Sequence, residues 1–217
     1  IISAASLPLV IVLLLFISAL SKLHSKDALL NYKNATASIV LSDEQDLIGK
    51  IFVENRTSIT FEAIPPHLIN ALIATEDIRF FKHNGIDTKS LFRVFFKTIL
   101  LNKKSAGGGS TISQQLVKNI FGRNIKGPLA IIVIKMRELL MARRIEKVYT
   151  KEEILTLYLN TVPFGENVYG IDAAAHRYFN KKAEALNIQE SAVLVGMLKA
   201  NSLYNPRTNP ENPGWCR

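Results

Sequence analysis

The sequence predicts a mainly α-helical domain behind an apolar N-terminal segment, and three observations lead there. From Pro65 apolar residues recur at spacings of three and four, as in His67-Leu-Ile-Asn-Ala-Leu-Ile-Ala-Thr75, the periodicity of one helix face. Thr150-Lys-Glu-Glu153 has the form of a capping box ahead of the apolar run Ile154-Leu-Thr-Leu-Tyr-Leu-Asn160. Residues Ile1 to Leu20 carry no charge and are about as long as a helix that crosses a bilayer.

Taken in chain order, residues 1–22 read as an N-terminal transmembrane helix. A cleaved signal peptide is the competing reading. It would have a shorter apolar stretch and small residues at a cleavage site, whereas Lys22, His24 and Lys26 follow here. Residues 23–63 form a linker. Within it Ala35 to Leu41 and Leu47 to Val53 flank the turn-like Ser42-Asp-Glu-Gln-Asp46, which makes either a short β-hairpin or an irregular connection. Residues 64–213 form the helical body, with a long helix from Pro128 to Lys147 and an amphipathic helix from Ala183 to Leu198. Asn205-Pro-Arg-Thr-Asn-Pro-Glu-Asn-Pro213 closes the body in turns, and 214–217 look like a truncated chain end.

With 217 residues, 48% of them hydrophobic, the chain can bury one good core and carry an anchor besides. Its net charge of +9 suits nucleic acid, anionic lipid or a phosphorylated substrate. The apolar segment favours lipid, so no nucleic-acid partner is expected. Cys216 is the single cysteine, which excludes an intrachain disulfide and a thiolate metal cluster.

Three segments could carry chemistry. In Thr75-Glu-Asp-Ile-Arg-Phe-Phe-Lys-His-Asn-Gly85 an apolar helix ends on two carboxylates. A carboxylate there meets water or substrate on one side and apolar walls on the other, a setting that suits proton removal near neutral pH. The plain alternative is a solvated pair at a helix end. In Ser105-Ala-Gly-Gly-Gly-Ser-Thr-Ile-Ser-Gln-Gln-Leu-Val-Lys-Asn119 a glycine run brings hydroxyls, amides and a lysine to a helix start, where backbone N–H groups suit a phosphate or sugar hydroxyls. A mobile loop before an ordinary capped helix explains it equally well. In the third segment Lys135 and Glu138, three apart, bring a charged pair into an apolar helix, either as a structural ion pair or as a functional one.

Together these residues resemble one family, the peptidoglycan glycosyltransferases of glycosyltransferase family 51, from about Ile64 to Pro210. The resemblance runs through Glu76-Asp-x-x-Phe-x-x-His-x-Gly-x-Asp87 with Arg93, then Gly108-Gly-Ser-Thr-Ile-Ser-Gln-Gln-Leu-Val-Lys-Asn119 and Lys135-x-x-Glu138. It continues in Lys151-Glu-Glu-Ile-Leu-x-x-Tyr-Leu-Asn160 and Gly170-Ile-Asp-Ala-Ala-Ala-x-x-Tyr-Phe179. Ser113 stands where the family usually has threonine, and Ile134 where many members have a basic residue, which weakens one phosphate contact. The chain stops where a penicillin-binding domain would begin in bifunctional members.

The resemblance implies a lysozyme-like helical lobe with a smaller membrane-proximal lobe. It implies lipid II as substrate, a growing glycan strand as product and undecaprenyl diphosphate as leaving group. Glu76 and Glu138 would be catalytic, Glu76 as the base. Lys118, Lys135 and Arg137 would meet the diphosphate. Asp77, Phe80, His83, Arg93, Ser110, Thr111, Gln114, Gln115, Asn119 and Asn160 would shape the substrate site, some holding sugar and some holding each other. No metal ligand set has spacing of its own, so no cofactor is required, and Mg2+ is expected only on the substrate diphosphate. The implied location is the bacterial cytoplasmic membrane, single-pass, with the catalytic domain outside the cytoplasm and cell-wall synthesis proteins as partners. A lysozyme-like peptidoglycan hydrolase is the nearest rival, because a leading glutamate suits bond breaking too. A non-catalytic membrane scaffold is the second.

Overall fold

The computed structural model describes residues 17–21, 23, 29, 38–41, 47–51, 55–56, 58–96, 108–123, 127 and 129–209. Its described part is mainly helical, with seven α-helices and four short strands. Most of the expected anchor, 1–22, lies outside the described residues, although 17–20 are helical. No helix among the described residues is long and apolar enough to cross a membrane. The chain end 214–217 also lies outside them.

The chain divides into two compact units, one built from 1–32 and 81–150, the other from 33–80 and 151–217. The first contains α2 (Thr88–Phe95), α3 (Ile112–Phe121) and α4 (Ala130–Val148). Helix α3 packs on α4. Ile112, Leu116 and Val117 are fully buried on α3, and Met141, Ala142 and Ile145 on α4, repeating at the three-and-four spacing that places side chains on one face. Asp87 caps α2 by accepting from the Ser90 N–H at 3.2 Å and the Ser90 hydroxyl at 2.7 Å. The sequence places a helix from Pro128 to Lys147, and α4 covers all but its first two residues.

The second unit contains α1 (Pro66–Glu76), α5 (Lys151–Thr161), α6 (Ile171–Phe179) and α7 (Ile188–Lys199). Helix α1 starts with proline at its first position, where a missing N–H costs nothing, and packs on α7. Helix α5 begins directly after Thr150, as the sequence predicts. Strands β1 (Ser38–Leu41) and β2 (Leu47–Ile51) pair antiparallel where the hairpin reading placed them, with a bulge between Val40 and Leu41. Strands β3 (Asn55–Arg56) and β4 (Val168–Tyr169) form a short parallel pair.

One boundary differs from expectation. The helix read from Ala183 instead begins at Ile188, after a single 3-10 turn at Ala183–Ala185. The reason is a capping box that apolar periodicity alone does not reveal. Asn187 accepts from the Glu190 N–H at 2.8 Å, and Glu190 accepts from the Asn187 N–H at 2.9 Å, so the helix starts there.

A tight turn at Gly165–Val168 precedes α6, with Glu166 and Asn167 both at positive φ. The Glu166 carboxylate accepts from Arg177, from Asn205 at 2.9 Å and from Arg207 at 2.9 Å, which ties the segment after α7 to this turn. The Arg177 and then the Asn205 hydrogen bonds hold this carboxyl below its ordinary range.

Candidate active site

The residues singled out above divide between the two units. In the first unit Gly85 is the pivot. It has φ +83°, and a Cβ there would lie 2.7 Å from the backbone carbonyl of Ala142, so the chain touches the backbone of α4 at this point. The Gly85 carbonyl accepts from the Thr111 hydroxyl at 2.8 Å and from the Gln114 side-chain amide at 3.3 Å. Thr111 also caps α3, accepting from the Gln114 N–H at 3.2 Å. Both side chains are buried, so in this geometry they hold the glycine-bearing segment in place. Gly85→Ala is expected to destabilise the domain by about 2–5 kcal/mol, from the positive φ and the backbone clash combined. A urea or thermal melt measures it, and an unchanged midpoint would mean that this segment does not dock on α4.

Glu138 of α4 belongs to the same unit. Only 1% of it is exposed, and it sits among Ile134, Met141 and Ile145 on the buried face of α4. An ionised side chain there is tolerated only when paired. Lys135 donates to its Oε2 at 2.6 Å and to the Ser110 hydroxyl at 3.2 Å. Arg123, just beyond the glycine that ends α3, donates from Nε to Oε1 at 3.0 Å. Both cations are about half exposed. The spacing expectation for Lys135 and Glu138 therefore corresponds to a direct ion pair, completed by an arginine that the sequence reading missed. Its only local sign was its place after Gly122, which ends α3 at φ +63°.

Arg137 has a different setting. It is 5% exposed and donates from Nη2 to the Gly122 carbonyl at 2.6 Å, so it secures the end of α3. Ser113 donates to Glu146 at 2.5 Å, and Arg93 is an exposed residue of α2 that donates to Ser90 at 3.4 Å. Gln115, Lys118 and Asn119 follow on α3, all partly exposed, and His83 lies two residues before Gly85, also partly exposed.

In the second unit α1 ends on Glu76, which is partly exposed, and Asp77, which is buried and closes the helix with its N–H on the Ile73 carbonyl. Tyr158 of α5 is fully buried, and burial first, then the charge of Glu76, push its phenol up. That places a neutral hydroxyl within the electrostatic reach of Glu76. Phe80 is fully buried with the Lys151 ammonium 4.2 Å from its ring centroid, a cation–π contact that makes it a core residue here. The Asn160 amide forms a two-bond lock with the backbone of Ile59, accepting its N–H at 3.0 Å and donating to its carbonyl at 2.9 Å. Among the described residues no group of three or more His, Cys, Asp and Glu side chains could hold a metal ion.

The family described as Transglycosylase matches residues 44–214. The chain is 41% identical over 175 residues to penicillin-binding protein 1F of Bacillus subtilis (strain 168), which covers 81% of this chain and 24% of that protein. It is 40% identical over 167 residues to penicillin-binding protein 1A of Escherichia coli (strain K12), covering 77% of this chain and 19% of that protein. Against penicillin-binding protein 1A of Pseudomonas aeruginosa it is 39% identical over 188 residues, covering 87% and 22%. The chain thus spans about a quarter or less of the length of these relatives.

Proposed function

Because the chain belongs to the transglycosylase family, we propose that it is a peptidoglycan glycosyltransferase that polymerises lipid II into β-1,4-linked glycan strands with release of undecaprenyl diphosphate. The observation that carries this reading is the Glu138 cluster. A buried carboxylate fixes two half-exposed cations, and together they make a preorganised positive site of the kind a departing diphosphate requires.

In the reaction, the 4-hydroxyl of the acceptor N-acetylglucosamine attacks the anomeric carbon of the donor, and the α-linked diphosphate leaves as a β-1,4 bond forms. Glu76 takes the hydroxyl proton as general base. Lys135, with Lys118 on α3, meets the charge that grows on the leaving diphosphate. Arg137 supports this by holding the end of α3 through the Gly122 carbonyl. Glu138 holds Lys135 in place; both its oxygens accept from cations, so its role is to orient them. Asp77, Phe80, Thr111, Gln114 and Asn160 shape the substrate site indirectly, through the backbone contacts and packing described above. His83, Arg93, Ser110, Gln115 and Asn119 are assigned to the sugar and phosphate groups. A Mg2+ ion, where present, is assigned to the substrate diphosphate.

A lysozyme-like arrangement of the helices and a 64–213 catalytic domain are part of the same reading. So is a place at the outer face of the bacterial cytoplasmic membrane, with 1–22 as anchor. Exposed apolar surface supports the membrane assignment. Ile131 is 76% exposed at the start of α4, and Thr88, Leu91, Phe92 and Val94 of α2 line an apolar groove of about 520 Å3. A substrate with a polyprenyl tail brings such surface to the bilayer.

Incubation with lipid II and, separately, with finished glycan tests the activity. Elongated polymer from lipid II is expected. Shortening of finished glycan would instead support the hydrolase, and no change in either would support the scaffold.

A further inference from the structure

The Glu138 cluster contains a residue that no sequence motif supplied. We propose that Arg123, reaching in from the end of α3, is a further positioning and anion-binding residue of this site, the second arm of a clamp whose first arm is Lys135. The proposal rests on the glycosyltransferase reading and names which side chains of this chain bind the diphosphate.

Two features support it. First, Glu138 is 1% exposed and each of its oxygens faces a different cation, Oε2 to Lys135 at 2.6 Å and Oε1 to Arg123 at 3.0 Å. One carboxylate between two cations leaves the trio with net positive charge, and the carboxylate sets the distance between them. Second, Arg123 approaches through Nε alone, so its four Nη–H donors have no hydrogen-bond partner among the described residues, and its side chain is 49% exposed. Lys135 donates to Ser110 and Glu138, keeps a third N–H, and its side chain is 42% exposed. A planar fork and an ammonium, both half open to solvent, suit the oxygens of a phosphate group.

The test uses the intact chain with inorganic diphosphate as probe, read by titration calorimetry, together with kcat and KM for lipid II polymerisation. Arg123→Gln is expected to weaken diphosphate binding and to lower kcat by roughly 10- to 100-fold, the range of a charge-assisted hydrogen bond. Its melting temperature should stay within a few degrees of the parent, because the side chain is half exposed. Arg123→Lys should recover part of the binding, since it keeps charge and loses the fork. Absence of saturable diphosphate binding by the parent chain would overturn the clamp. So would an Arg123→Gln protein with unchanged binding and kinetics, or one whose lost activity tracks a lowered melting temperature and is not recovered by lysine. If diphosphate binds in an Arg123-dependent way but lipid II is not polymerised, the clamp stands and the glycosyltransferase reading fails. If lipid II is polymerised and Arg123→Gln changes nothing, the clamp alone fails.

Discussion

Glu76→Gln is expected to lower lipid II polymerisation by roughly 10²- to 10⁴-fold, the usual contribution of a positioned general base, with little change in stability. Glutamine keeps the length and shape of the side chain at the end of α1, where Glu76 is partly exposed and Asp77 closes the helix with its own backbone. What it removes is the proton acceptor. Glu76→Asp keeps a carboxylate but draws it back by one methylene, so an intermediate loss is expected, because displacement of a base by about 1 Å is costly. Steady-state polymerisation rates with a thermal melt of each variant separate lost chemistry from lost fold. Polymerisation by Glu76→Gln at the parent rate would remove Glu76 from the role of base.

The second large effect is expected at Lys135. Lys135→Ala removes one of the two cations on Glu138 and the donor to Ser110, and should lower kcat by roughly 10²- to 10³-fold, as loss of a preorganised transition-state donor does. The fall should be larger in kcat than in KM, because charge on the leaving diphosphate is greatest in the transition state. The stability loss should be only about 1 kcal/mol, since the Lys135 side chain is 42% exposed and Arg123 still holds the other carboxylate oxygen. An unchanged kcat would mean that the Lys135–Glu138 pair is structural.

Helical class, the end of α1 on Glu76 and Asp77, and the meeting of Lys135 with Glu138 were all legible in the linear sequence. Each depends on neighbours three or four residues apart, and helix geometry alone brings those together. The Asn187–Glu190 capping box is equally local, but apolar spacing continues on both sides of it and masks the helix start.

Tertiary structure alone decided how the polar residues divide their work. Thr111 and Gln114 meet the Gly85 carbonyl across 26 and 29 residues, Asn160 meets Ile59 across 101, and Arg123 meets Glu138 across 15. A motif reading gives such residues a common place near the substrate, but no periodicity relates the two ends of these contacts. They form because a buried amide, hydroxyl or carboxylate must find a partner once packing has removed water, and which partner lies within reach depends on how the elements pack.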